Sequence, residues 1–271
     1  MEVCTLASGS GGNCLLVRSE NRTILLDAGI SARRITNSLK ELDIAVTELD
    51  AVLITHAHSD HISGLAVLMK KLRVPIYASP RCTCELTEKI PSVADLLCSV
   101  EPGSAVEIGD MVCRCYSIPH DAPGSMGWSV EAQGCKMALA TDLGHVTPQV
   151  LEGIAGCDLL VAECNHDEDW VRTGSYPRYL QDRILGKFGH LSNEAGAQLI
   201  RQAVKMGTRT VLLAHLSSDN NTPSRARSVV EQCLRASGID PQRDVELAVA
   251  PRSERGHLYR LICRTSARNA G

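Results

Sequence analysis

The sequence is short of aromatic residues: Trp, Tyr and Phe make up 3% of its 271 positions, with a single Phe in the whole chain. Base stacking on single-stranded nucleic acid needs exposed rings, so any such contact must rest on very few side chains, with Tyr176, Tyr179 and Trp170 the available ones. Long apolar runs are also missing. Nothing approaches the roughly 20 residues that cross a bilayer, and no membrane partner is expected. Neither sign of charge is in excess: a net charge of −3 gives no global attraction to phosphate, so a nucleic-acid surface would have to be a local patch. Arg33, Arg34, Arg172, Arg178, Arg183 and Lys187 are its candidates, although each alone reads as a solvated helix face. Twelve cysteines are present, yet no C-x-x-C pair occurs and no apolar signal segment precedes the first expected strand. They read as small core residues in a reduced, cytoplasmic setting. Cys82 and Cys84, like Cys113 and Cys115, are spaced by two and would share one strand face if extended.

What the chain does have is Thr55-His56-Ala57-His58-Ser59-Asp60-His61, placed directly after the apolar run Ala51–Ile54. Three imidazoles and a carboxylate at the end of a buried strand form a ligand set for two divalent metals, since packing gives no reason for them. His56 and His58 fall on one side of an extended segment, while Asp60 and His61 lie where the chain turns into a helix.

Elsewhere, β-rich runs at Glu2–Ala7, Cys14–Val17, Thr23–Asp27 and Ala51–Thr55 are separated by Gly/Ser and Glu-Asn-Arg turns or by a helix. Helical spacing covers Ser31–Leu42, with Ser31 as N-cap, and Ile62–Leu72, with Leu65, Leu68, Met69 and Leu72 on one face. Further strands are expected at Val112–Ile118, Gly127–Val130, Lys136–Ala140, Leu159–Ala162 and Thr210–Ala214, and helices at Asn193–Met206 and Pro223–Ala236. Asn165–Lys187 is the least regular stretch and the natural lid or substrate-contact region. Strands alternating with helices predict an α/β protein with two sheets face to face. A single domain over 1–264 with a flexible tail at 265–271 is expected.

The signature His-x-His-x-Asp-His resembles that of the metallo-β-lactamase superfamily, and the similarity runs from end to end. Leu6–Asn13 is similar to the family's opening strand-turn, and Leu25-Leu26-Asp27-Ala28-Gly29 to its first acidic motif. Ala162–Asp167, Gly174–Pro177, Gly189–Glu194, Ala214–Ser217 and Asn220-Asn221 resemble the YycJ/WalJ-like branch of small metal-dependent exonucleases. The resemblance implies an αβ/βα four-layer sandwich, two mixed sheets with helices outside, and a site between the sheets at one edge. It implies that His56, His58 and His120 bind one ion, that Asp60, His61 and His215 bind the other, and that Asp142 bridges them. Asp27 would orient a ligand imidazole or the first loop without binding metal, a role compatible with capping the next helix from its Asp-Ala-Gly turn. His145 and His257 have no such placement and read as structural or exposed.

Two divalent cations on this fold would serve a lactam, thioester, lactone or phosphodiester, so the substrate must be read from other residues. His190 resembles the non-ligand histidine of the superfamily's phosphodiesterases, and Glu163 could hold it as an acid–His pair. Asp60, His190 and Glu163 are thus the catalytic candidates. Asn13, His166, Tyr176, Arg178 and Ser192 are candidates for the substrate phosphate, Ser192 at a helix N-terminus. Only 73 positions separate Asp142 from His215, too few for the clamp domain of β-CASP nucleases. A 5′→3′ exonuclease acting on DNA is the implied activity, with two Mn or Zn ions, or Fe, as cofactors. A small-molecule hydrolase and a metal-stabilised regulatory module stay open, as do the oligomeric state, a homodimer included, and the native metal.

Overall fold

The computed structural model describes residues 1–262; the tail assigned to 265–271 lies outside the described residues. The first sheet is built from β1 (Glu2–Ala7), β2 (Cys14–Arg18), β3 (Thr23–Leu26), β4 (Ala51–Leu53), β5 (Ile76–Ala78) and β6 (Leu97–Ser99). The second is built from β7 (Ala105–Ile108), β8 (Met111–Ser117), β9 (Met126–Ala132), β10 (Cys135–Ala140), β11 (Leu159–Glu163), β12 (Thr210–Ala214) and β13 (Glu246–Val249). A last strand, β14 (Tyr259–Arg260), returns to pair antiparallel with β1. The orders are β14-β1-β2-β3-β4-β5-β6 and β13-β12-β11-β10-β9-β8-β7. Each sheet is mixed. Strands β3 to β6 run parallel in one, and β10 to β13 in the other.

Alternation along the strands creates the layers. Leu15, Val17, Ile24 and Leu26 point inward to meet Trp128, Val130, Met137 and Val161 of the opposite sheet. Leu16 and Leu25 point outward and are covered by Ile35, Leu39, Leu65, Leu68 and Leu86. These come from α1 (Ala32–Lys40), α3 (Leu65–Leu72) and α4 (Pro80–Lys89). The outer face of the second sheet is covered by α5 (Pro148–Ile154), α8 (Asn193–Lys205) and α9 (Pro223–Ala236), through Val150, Leu199, Ile200 and Val230. The result is an α/β four-layer sandwich. The indole of Trp128 donates across the gap to the Ile54 carbonyl (3.2 Å). Among the described residues no helix is long and apolar enough to cross a membrane.

Three expectations need correction. The helix foreseen at Ile62–Leu72 is two pieces, α2 (Ser59–Ile62) and α3, broken at Gly64, where a Cβ would strike the Ile30 carbonyl oxygen. Cys82 and Cys84 are not on a strand. Both lie in α4, so a spacing of two turns Cys82 inward and Cys84 outward, whereas Cys113 and Cys115 do share the inner face of β8. The lid is not irregular throughout: it holds α6 (Glu168–Thr173) and α7 (Arg178–Ile184). Asp167 caps α6, accepting from the amides of Asp169 (3.0 Å) and Trp170 (3.2 Å), and is anchored by Arg225 (2.6 Å).

Candidate metal centre

Polar residues collect where the parallel strands end. Asp27 follows β3, the His56–His61 segment follows β4, Asp142 follows β10, Glu163 ends β11, and His215 follows β12. Asp27, Asp142 and His215 all have left-handed backbones, with φ of 62°, 60° and 57°. That conformation is uncommon for residues other than Gly. Here it turns each chain sharply at its strand end. Gly29 lets the first loop pass against Asp60, because a Cβ would collide with the Asp60 carbonyl.

Among the described residues four overlapping groups of donors result, and two of them share no residue and leave out Asp142. Ligand atoms of His56, His58 and His120 lie within 4.8 Å of one another, as do those of Asp60, His61 and His215. Asp142 stands between the groups: its carboxylate is 3.4 Å from His61 Nε2, 3.5 Å from His215 Nε2 and 3.8 Å from His120 Nε2.

The imidazoles are held by their other nitrogen. His61 donates Nδ1–H to Asp27 (2.7 Å), His215 to Glu163 (3.0 Å) and His120 to the Gly189 carbonyl (3.2 Å). The Thr55 hydroxyl gives its hydrogen to Asp27 (2.9 Å) and therefore accepts from His56 Nδ1 (3.0 Å). Each ring thus turns Nε2 toward its neighbours, the orientation that partners behind a metal-binding histidine impose. Asp27 does not cap a helix. Its other oxygen takes the Thr55 amide (2.8 Å).

These donors fit divalent cations. Nε2 of His56, His120 and His215 and Oδ2 of Asp142 are buried without a hydrogen-bond partner. Four such atoms in one spot would be costly unless a cation takes their lone pairs. As the side chains stand, electrostatics points the same way. Burial disfavours a charged His215, but Asp142, Asp60 and Glu163 outweigh it and push its pKa up to about 10. His61 is raised by Asp27 and Asp142 against the same desolvation, while burial and the surrounding imidazoles depress His56.

Beyond this cluster lies a cavity of about 240 Å³, lined in part by Asp60, Asp121, Tyr176, Arg183 and His190. His190 donates Nδ1–H to Oε1 of Glu163 (2.9 Å), the same oxygen that receives His215. The second oxygen of Glu163 takes the amides of Leu143 and Leu191, both at 2.9 Å. Burial alone would raise the Glu163 pKa; His190 and His215 overcome it and hold the carboxyl well below its usual range.

The phosphate candidates are dispersed. Tyr176 lines the cavity. Asn13 instead turns its amide to Asp60 (3.3 Å) and His61 (3.1 Å), bracing the ligands. Arg178 is exposed and paired with Asp182 (3.1 Å), whereas Arg183, five positions on, lines the cavity and pairs with Asp121 (2.5 Å). The Ser192 hydroxyl is committed to capping α8 at the Ala195 amide, and His166 is buried behind His190 with Nδ1 on Asn165. His145 and His257 are exposed. Sequence reasoning missed Thr55 and Asp121; Asp121 sits 3.4 Å from His120 and 3.7 Å from His58, and its place directly after His120 was the available signal.

Known proteins resemble this chain in sequence and fold. The profile of the beta-lactamase superfamily domain matches residues 22–216. The chain is 36% identical over 237 residues to the exodeoxyribonuclease YycJ of Bacillus anthracis, covering 86% of this chain and 89% of that one. It is 34% identical over 243 residues to the exodeoxyribonuclease WalJ of Streptococcus pneumoniae, covering 87% and 90%. The crystal structure of the metallo-β-lactamase fold protein YhfI from Bacillus subtilis superposes with a TM-score of 0.70 at 15% identity, over 95% of this chain and 98% of that one.

Proposed function

This chain belongs to the β-lactamase superfamily and is a metal-dependent hydrolase, and from that premise we propose that it is a DNA phosphodiesterase that removes nucleotides from the 5′ end. The carrying observation is the pair of donor groups on either side of Asp142, with four buried ligand atoms lacking hydrogen bonds. His56, His58 and His120 would hold one divalent cation and Asp60, His61 and His215 the other, with Asp142 shared. Bound there, two cations of the Mn, Zn or Fe kind supply an activated water and positive charge for the phosphoryl oxygens.

The chain's own part is to position groups and to move a proton. Asp27, Thr55, Glu163 and Gly189 fix the ligand rings. His190, with Nδ1 held by Glu163, has Nε2 left for the substrate, and as an imidazolium it protonates the departing 3′ oxygen. The buried Glu163 carboxylate stabilises that charged ring, so turnover needs no rearrangement of the pair. Arg183 at the cavity wall offers a guanidinium to a phosphate oxygen. DNA as substrate draws support from the two exodeoxyribonuclease relatives, and the 5′→3′ direction from the motif resemblance. A cytoplasmic location agrees with such a substrate.

The test is incubation with Mn²⁺ and 5′-labelled single- and double-stranded DNA, beside a nitrophenyl phosphodiester and a thioester. Release of label as mononucleotide is expected. Thioester turnover without DNA cleavage would replace this reading with a small-molecule hydrolase.

A further inference from the structure

The chain has two Trp, five Tyr and one Phe, and four of these eight rings, Trp170, Tyr176, Tyr179 and Phe188, fall within nineteen consecutive positions. Exposure sharpens the bias. Tyr179 is 74% exposed, Phe188 48% and Trp170 41%, and among the described residues every exposed aromatic side chain lies in this stretch. A protein this poor in rings has little reason to leave three of its largest ones in water unless something covers them.

The stretch adjoins the cavity at the metal centre. On α7, Leu180, Arg183 and Ile184 line the cavity, and Tyr179 stands one helical turn before Arg183, on the same side of the helix. Phe188 directly precedes Gly189 and His190, which also line it. From Trp170 to Phe188 there are four cationic residues and one acid, within a protein of net charge −3, and Arg172, Arg178 and Arg183 each also reach a carboxylate. Lys187 holds its ammonium 5.3 Å from the centre of the Phe188 ring.

We propose that Tyr179 and Phe188 form a stacking platform for unpaired bases, so that the 5′ strand reaches the metal centre as a single strand. This rests on the DNA reading above and names the form of the substrate. In a duplex, neighbouring bases cover each π-face and the phosphates face outward, so exposed rings gain nothing from it. An unstacked base meets a ring face to face while the flanking cations receive its backbone. The scarcity of aromatics then has a consequence: affinity is concentrated in two rings next to cavity-lining residues, and a short single-stranded overhang suffices.

A ring-against-base cycle tests this with the metal-loaded protein. Tyr179→Ala combined with Phe188→Ala should raise KM for a 5′-phosphorylated single-stranded oligodeoxynucleotide roughly tenfold or more. The ring-keeping pair Tyr179→Phe and Phe188→Tyr should restore it. An oligonucleotide with abasic sites at its first positions should be as poor for the unmodified protein, and no poorer for the alanine variant. Losses that multiply between variant and abasic substrate would overturn the platform, as would equal losses on single strands and blunt duplexes. A shift from dimer to monomer in sedimentation of the alanine variant would assign the rings to a contact between copies instead. If the unmodified protein cuts no form of DNA, the reading beneath fails and takes the platform with it.

Discussion

Each sheet brings a buried carboxylate to the metal centre, and the two are used differently. Asp27, at the end of β3, spends its oxygens on Thr55 and His61, so it steadies part of the ligand set and nothing else. Glu163, at the end of β11, divides one oxygen between His215, proposed as a ligand, and His190, proposed to face substrate. The first half of the molecule is a holder. In the second, under the proposed roles, holding a ligand and supplying a proton depend on the same carboxylate, so its loss should be felt in both. Asp142, after β10 of the second half, reaches imidazoles from both.

The largest effect is expected where the halves meet. Asp142→Asn should reduce activity to background and weaken metal binding on both sides, since a neutral amide bridges two cations poorly. Elemental analysis and a nuclease assay check it; two firmly held metals with full activity would separate the halves.

Next in size is His190→Ala, expected to lower turnover on DNA by roughly 10² to 10⁴ with metal content unchanged. A nitrophenyl phosphodiester, whose leaving group scarcely needs a proton, should lose far less. Equal losses would mean that His190 binds phosphate and does not act as an acid.

The comparison itself is put to the test by Asp27→Asn and Glu163→Gln. Both should weaken metal affinity by roughly 10- to 100-fold, the usual result of removing a partner behind a metal-binding imidazole. Excess metal should then restore Asp27→Asn to near full turnover, whereas Glu163→Gln should stay impaired because His190 has lost its counter-charge. Recovery of both would make the carboxylates equivalent.

The most gradual effect is on pH. Against the burial that favours its neutral form, His215 is pushed up to about 10 by Asp142, Asp60 and Glu163, and His61 is raised by Asp27 and Asp142. A raised pKa makes each ring hold a proton more firmly, and a cation must displace that proton to bind. Metal affinity should therefore rise with pH between 6 and 9, by at most about tenfold per unit for each proton displaced. Titration with Mn²⁺ in buffers of different pH would show the trend, and a flat profile would contradict it.

Much of the first half was legible in the sequence because its ligands are local: six positions carry four of them, and the apolar run before them marks the strand. The second half was legible only through resemblance, because Asp142, Glu163 and His215 come together by strand order and not by spacing. Three features were set by packing and left no local trace. Gly64 breaks a helix because Ile30 passes close by; Arg183 faces the cavity in place of Arg178 because of the rotation of α7; and Glu163 serves two imidazoles because β11 and β12 lie side by side. The left-handed turns at Asp27, Asp142 and His215 likewise belong to tertiary structure, as Asp and His tolerate that conformation without requiring it.

The central claim is that both sheets jointly hold two cations across Asp142. Anomalous diffraction from crystals of the Mn²⁺-loaded protein tests it most directly. Two peaks per chain are expected, one among His56, His58 and His120 and the other among Asp60, His61 and His215, with Asp142 touching both. A single peak, or one among Asp142, Glu163, His190 and His215, the other donor group in which His215 takes part, would contradict it.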